Sequence, residues 1–213
     1  MSEFGRLVGF VLALGAAACV RAVDPVPRLV QPGAPGESSR VIAAGQATDL
    51  SNVGITAADI RFMQGMIGHH AQAVEMVALV PSRTNREDLR MLAIRIDVSQ
   101  ADEIKMMEQW LKARGQTLPD PHAHHPQGAA LMPGMLTEEE MSRLAAAKGD
   151  EFIRLFLQGM IKHHEGALTM VNELFASAGA AQESEIFAFA SDVDADQRME
   201  IERMGAMLQE SQK

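Results

Sequence analysis

The sequence lacks several residues on which common protein sites depend. It contains no tyrosine and a single cysteine, Cys19, among 213 residues. One cysteine cannot form an intrachain disulfide, and structural zinc sites draw heavily on thiolates, so a disulfide is excluded and structural zinc is disfavoured. No Cys-x-x-Cys-His motif occurs either, so covalently attached haem is unsupported.

Positive charge is also scarce. Lys and Arg number 19 against 28 Asp and Glu, which gives a formal net charge of −9. Proteins that bind a phosphate backbone cluster Lys and Arg, so we expect no nucleic-acid partner. A negative surface attracts cations, although it also serves solubility alone.

The apolar run near the N-terminus is too short for an ordinary membrane span. Leu7–Ala18 follows Arg6 and falls short of the roughly 20 residues that a span needs. This pattern is typical of an export signal, which we predict over residues 1–22, with cleavage after Ala22 or before Cys19. Cleavage before Cys19 would leave a thiol that can carry lipid. We therefore expect an exported protein, periplasmic or lipid-anchored to the cell envelope, with membrane contact only through that anchor.

Residues 23–54 are rich in Pro, Gly, Ser and Ala, and this composition predicts a linker. We predict the folded domain over residues 55–211. A shorter helical stretch opens at Thr137-x-x-Glu140, and no segment alternates as a strand would. Periodicity, caps and helix breakers indicate four long helices: Thr56–Val80 stopped by Pro81, Asn85–Arg114 with Gly115 as C-cap, Asp150–Ala176, and Gln182–Gln209. The prediction is an all-α protein, an antiparallel four-helix bundle.

The strongest feature of the sequence is an internal repeat. Residues 62–77 read FMQGMIGHHAQAVEMV and residues 156–171 read FLQGMIKHHEGALTMV, with ten of sixteen positions identical. A Gln-x-x-Glu-Ile-x-x-Met echo follows in each half, beginning at Gln100 and at Gln197. Each half, 55–114 and 150–211, is therefore predicted to be a helical hairpin, and two hairpins make the bundle.

The repeat brings methionine and histidine together on one helix face. Met66 lies within a turn of His69 and His70, and Met160 has the same relation to His163 and His164. Thioether and imidazole both bind metals, and two adjacent imidazoles in each copy exceed what packing requires. A duplicated packing motif remains the alternative, because methionine is a common core filler. Further ligand candidates are Met63, Met76, Met170, Met132 and Met135.

The spacing also bears on which metal is expected. Helical bundles that hold two irons use Glu-x-x-His, but the residues three before the four histidines are Met66, Ile67, Met160 and Ile161. Replacing carboxylate by thioether favours Cu(I) or Ag(I), with Cu(II) an option at the histidines. A non-covalent haem held by Met and His stays open as a minor alternative.

Two further groups of residues have open roles. His122, His124 and His125 lie in a predicted loop, Gln116–Leu136, and suit either a solvated loop or a metal-capturing one. Gln100, Glu103, Gln197 and Glu200 either support the histidines or form a polar helix face.

Three motifs in order resemble the bacterial "domain of unknown function 305" family. They are Gln64-Gly65-Met66-Ile67-x-His69-His70, Met132-Pro133-Gly134-Met135-Leu136-Thr137 with Glu139, Glu140 and Met141, and Gln158-Gly159-Met160-Ile161-x-His163-His164. The resemblance covers about residues 55–210. It implies a ferritin-like fold, export, and in some members copper binding linked to copper tolerance. By motif it carries over as ligands Met66, His69, His70, Met160, His163, His164, Met132 and Met135, while Leu157 and Gly166 depart from a symmetric pattern.

Together these features predict an exported copper-binding protein that sequesters Cu(I) or exchanges it with a donor or acceptor protein. We expect no enzymatic activity, because no nucleophile–base pair is suggested. Two alternatives remain: a structural or protein-interaction module without metal, and a metal-dependent redox enzyme.

Overall fold

The computed structural model describes residues 29–31, 39–47, 54–119 and 131–210. The chain forms two compact units, Met1–Leu50 and Ser51–Lys213. The predicted export signal, residues 1–22, and the loop histidines His122, His124 and His125 lie outside the described residues, and their roles stay predictions.

In the first unit, two short strands pair antiparallel. They are β1 (Leu29–Gln31) and β2 (Arg40–Ile42), with Val30 opposite Val41, and the helical turn α1 (Ala44–Ala47) follows. The prediction that no strand forms was therefore wrong, because three residues are too few for alternation to show in a sequence. Val30 and Val41 are 61% and 65% exposed, so the strand pair buries little apolar surface.

The second unit contains the helical domain. Its helices are α2 (Ala57–Arg83), α3 (Glu87–Ala113), α4 (Glu138–Ala146), α5 (Gly149–Ala176) and α6 (Ser184–Glu210). Helix α2 packs on α3, α5 packs on α6, and the two hairpins meet through α2 and α5. This arrangement confirms the all-α bundle of two hairpins, with α4 as the predicted extra stretch. Within the described residues, no helix is both long and apolar enough to cross a membrane.

The helix ends follow the predicted capping residues, with one exception. Thr56 with Asp59 and Thr137 with Glu140 form capping boxes at the starts of α2 and α4. Gly115, at φ +64, follows the end of α3 as predicted. The prediction that Pro81 stops the first helix was wrong, because α2 continues to Arg83. Pro81 lacks an N–H of its own, but the N–H of Thr84, the C-cap residue, still donates to the Val80 carbonyl in the last turn.

The segment that connects the hairpins runs against both central helices. The Gln72 side chain on α2 donates to the Leu136 carbonyl (2.9 Å) and accepts from the Leu136 N–H (2.8 Å). On α5, Gly166 lets the backbone of the segment approach so closely that an added Cβ would lie 2.0 Å from the Pro133 oxygen. Gly134, at φ +73, is restricted in the same way, since an added Cβ there would lie 2.6 Å from the Gly166 Cα. Residues 132–136 are thus held at a fixed position beside the histidines.

Candidate metal centre

The four repeat histidines lie in the interior, where α2 meets α5. His69 and His70 on α2 and His163 and His164 on α5 all have 0% exposure. The His69 and His163 rings are in contact, with centroids 3.9 Å apart. The structure therefore brings the two predicted histidine pairs together and away from solvent.

The two central rings donate to backbone carbonyls. The Nε2 of His69 lies 2.9 Å from the Pro133 oxygen, in the connecting segment, and the Nε2 of His163 lies 3.0 Å from the His69 oxygen. A carbonyl only accepts, so each Nε2 carries the proton. In the neutral ring, Nδ1 then has a free lone pair.

The two outer rings are held by carboxylates from the second helix of each hairpin. The Nε2 of His70 lies 2.6 Å from a Glu103 oxygen, and that of His164 lies 2.7 Å from a Glu200 oxygen. A carboxylate behind an imidazole orients the ring and makes it a better metal ligand. From the sequence, Glu103 and Glu200 could either support the histidines or form part of a polar helix face. The signal that could have decided it was their matching place in the repeat.

All four imidazoles leave Nδ1 without a partner. Among the described residues, no donor or acceptor reaches the buried Nδ1 of His69, His70, His163 or His164. A buried polar atom without a partner costs about 1–3 kcal/mol, so four in one layer form an arrangement that packing alone would not favour. An unprotonated Nδ1 is also the atom that can bind a metal while Nε2 is held by an oxygen.

Burial keeps the central rings neutral. Desolvation, followed by repulsion from His70, lowers the pKa of His69 to about 3, although the hydrogen bond to Pro133 opposes this shift. Desolvation, followed by repulsion from His69, lowers the pKa of His163 well below its usual value. A proton therefore does not compete for either Nδ1 near neutral pH.

The candidate thioether ligands are divided between the two apolar clusters of the bundle. Met63, Met66 and Met170, with the half-buried Met132, belong to one apolar cluster, while Met76 and Met160 belong to the other. Gly65 makes room for Met132 and Met170, since an added Cβ there would lie 3.4 Å from the Met132 sulfur and 3.3 Å from the Met170 methyl. Gly159 holds the equivalent place in the second copy and faces the Met76 methyl.

The eleven predicted ligands thus do not form one cluster. The imidazoles form a central layer, and two unequal groups of sulfurs flank it, since Leu157 stands where the first copy has Met63. Met135 is buried in the connecting segment, outside both clusters. Within the described residues no three His, Cys, Asp or Glu side chains are grouped as a metal site would need. The donors available to an ion here are imidazole nitrogen and thioether sulfur, a combination suited to a soft metal.

Solved structures resemble the helical domain. A candidate secreted DUF305 protein from Streptomyces coelicolor is 32% identical, covers 72% of this chain and 93% of its own, and superposes with a TM-score of 0.64. A DUF305 fragment from Deinococcus radiodurans is 30% identical, covers 73% of this chain and 98% of its own, and has a TM-score of 0.64.

Two structures of a copper-bound protein are also similar. CopM in its Cu(I)-bound form is 26% identical, with a TM-score of 0.57, and in its Cu(II)-bound form it is 26% identical, with a TM-score of 0.61. Each covers 71% of this chain and 96% of its own. A comparison with curated proteins gives no match. The sequence pattern of the domain of unknown function 305 matches residues 59–208, and the chain belongs to that family.

Proposed function

We propose that the protein binds copper as Cu(I) and sequesters it or hands it to another protein of the cell envelope, without catalysing a reaction. Ag(I) and Cu(II) are the alternative occupants. The observation that carries the proposal is the layer of four buried imidazoles, each with Nε2 held by an oxygen and Nδ1 without a partner. Met66 and Met160, both 0% exposed and each within one helical turn of a histidine pair in sequence, supply soft sulfur donors.

The donor set suits a soft ion that must be held and released. Thioether is a weak ligand for hard cations and a good one for Cu(I). Unlike thiolate, thioether and imidazole do not form disulfides in an oxidising compartment. The similarity to CopM, which has been solved with Cu(I) and with Cu(II), supports the same chemistry. The description of the Streptomyces coelicolor relative as a candidate secreted protein agrees with the predicted export signal.

The test is an anaerobic titration of metal-free protein with Cu(I), in competition with a coloured Cu(I) chelator. We expect a dissociation constant below about 1 μM, which corresponds to roughly −8 kcal/mol. The double variant His69→Leu with His163→Leu removes the two Nδ1 atoms at the centre, and we expect it to weaken binding at least about tenfold. Binding no tighter than micromolar in the wild-type protein would end the proposal.

Methionine variants separate ligands from packing residues. Met66→Leu removes a buried sulfur one turn before the histidines and should weaken Cu(I) binding. Met91→Leu is the matched control, because Met91 is 54% exposed on α3 and belongs to neither cluster. Equal affinities for the two variants would mean that the buried sulfur contributes nothing to copper binding.

A structural role for the histidines is the second candidate, and their hydrogen bonds favour it. Each Nε2 joins two elements of the fold, as between His69 on α2 and Pro133 in the connecting segment. In that case, substitution would destabilise the metal-free protein, and copper would add no stability. The His163 variant treated in the Discussion distinguishes the two roles.

A further inference from the structure

The two outer histidine–carboxylate pairs differ in their contact with solvent. The Glu103 side chain behind His70 is 22% exposed, whereas the Glu200 side chain behind His164 is 4% exposed. Both histidines are 0% exposed and hold an unpartnered Nδ1. Equivalent positions in the repeat therefore have unequal access to water.

Arg95 pairs with Glu200, the more buried of the two carboxylates. Its Nε lies 3.5 Å from the Glu200 oxygen that does not face His164, and its Nη2 lies 3.6 Å from Asp196. Glu200 is thus engaged on both sides, by an imidazole and by a guanidinium. Within the part of the chain that the structure describes, Glu103 has no ion-pair partner besides His70.

The repeat shows which residue corresponds to Arg95 on the side of the domain where Glu103 lies. Glu103 and Glu200 are 97 positions apart, and the same offset places Asp192 opposite Arg95. It also places Met106 opposite Arg203. By this correspondence, Glu200 has two arginines at the positions where Glu103 has a carboxylate and a thioether.

A groove of about 750 Å³ between α3 and α6 opens onto Glu103. Its lining includes one basic side chain, Arg114, and five carboxylates: Asp102, Glu103, Glu185, Asp192 and Asp196. Three of the five are ion-paired: Asp102 with Lys105, Glu185 with Arg114 and Asp196 with Arg95. The carboxylates still outnumber the cation in the lining, and a concave surface with an excess of one charge sign concentrates counter-ions and raises their rate of association. The carboxylates alone would not identify a path for metal, but one of them, Glu103, is hydrogen-bonded to a buried ring whose second nitrogen is free.

We propose that the metal enters and leaves the centre through this groove by way of Glu103 and His70, while Arg95 closes the equivalent path at Glu200 and His164. The inference rests on the proposed copper binding. It makes the two halves of the repeat unequal in function: the first half exchanges the ion and the second half retains it. Arg95 and Asp192 control access and do not bind the metal.

The first test needs no metal. In ¹⁵N-labelled, metal-free protein, the rate at which each ring Nε2–H exchanges with water is measured by NMR. We expect the His70 proton to exchange faster than the His164 proton, because the Glu103 side chain is 22% exposed and the Glu200 side chain 4% exposed. Arg95→Met should raise the rate at His164, and Asp192→Arg should lower the rate at His70. Arg198→Met is the matched control, since Arg198 is 55% exposed and has Asp194 as its one ion-pair partner among the described residues.

The second test uses Ag(I) as the probe. The single tryptophan, Trp110, lines the groove, so stopped-flow fluorescence can follow loading. We expect Asp192→Arg to slow loading about tenfold while the equilibrium affinity stays near that of the wild-type protein. Loading should also slow with added salt, because salt screens an exposed charged groove.

The outcomes separate the inference from the proposed function. If neither Ag(I) nor Cu(I) binds, the proposed function fails, and with it the role of the groove in metal exchange. If metal binds but His70 and His164 exchange protons at equal rates and the Asp192 and Arg95 variants change nothing, the inference is overturned while copper binding stands. Circular dichroism and thermal unfolding of each variant would confirm that the fold is retained.

Discussion

Replacing His163 by leucine distinguishes a metal ligand from a packing residue. The Nε2 of His163 donates to the His69 carbonyl, which lies inside α2 and also serves the helical bond from four residues later. Removing the ring therefore leaves no charged group and no carbonyl without a partner. No carboxylate depends on this ring, whereas Glu103 and Glu200 depend on His70 and His164.

The size of the effect follows from two opposing contributions in the metal-free protein. The buried Nδ1 without a partner costs about 1–3 kcal/mol, which the variant removes. The lost hydrogen bond from Nε2 is worth about 0.5–1.5 kcal/mol net. His163→Leu should then range from about 0.5 kcal/mol less stable to about 2.5 kcal/mol more stable than the wild type. If the hydrogen bond from Nε2 were needed to hold the fold, the variant would instead lose about 3 kcal/mol or more, as happens when a buried hydrogen-bond network is broken.

The assay is denaturant unfolding of metal-free protein, repeated with Ag(I) or Cu(I). At a free metal concentration of about one hundred times the dissociation constant, the wild type should gain about 2.7 kcal/mol, and His163→Leu should gain much less. The comparison variant is His164→Leu, which leaves the buried Glu200 carboxylate with Arg95 alone and should cost about 3 kcal/mol without metal. A His163 variant that loses more than about 3 kcal/mol without metal, yet keeps the full gain from metal, would refute the reasoning.

Two further predictions concern the connecting segment and acid. Gly166→Ala should cost about 3 kcal/mol or more in unfolding experiments, because its Cβ would lie 2.0 Å from backbone oxygen that cannot move aside. Gly205→Ala in α6, with nothing within 4 Å, should instead stabilise by up to about 1 kcal/mol. For metal-free protein, the lowered pKa values of His69 and His163 mean that the unfolded state binds protons first as the pH falls below 6.5. Stability should drop by about 1.4 kcal/mol per pH unit for each ring, and for His69 this continues down to about pH 3. A His163→Leu slope equal to the wild-type slope would contradict the buried neutral ring.

The sequence was sufficient to predict the hairpins and the position of the histidines within them. The repeat and the capping residues carry local information, so Thr56, Thr137 and Gly115 were identified from neighbouring residues alone. The end of α2 was misplaced because the rule for proline describes helix interiors, and Pro81 lies in the last turn.

The backbone partners of the two central rings could not be predicted, because they come from distant segments. The Pro133 carbonyl, which accepts the hydrogen bond from His69, is 64 positions away in a segment without periodicity. Which backbone oxygen reaches a ring depends on how closely two chains pack, and here this is decided by the missing side chain of Gly166. The sequence showed Gly166 only as a departure from the symmetric pattern.

The departures from symmetry explain how one duplicated motif can yield a centre with two different sides. Gln72 clamps the connecting segment through both atoms of its amide, and its counterpart Gly166 admits the same segment by having no side chain. Glutamine at both positions would clash with the connecting segment, and glycine at both would leave the Leu136 backbone without its two hydrogen bonds to Gln72. In the route for metal that we propose, the exchange of Arg95 for Asp192 makes the two sides differ in the same way. Two copies with the same ligands and without these differences would bind two equivalent ions with equivalent kinetics. A protein that hands over its cargo gains instead from one closed side and one open side.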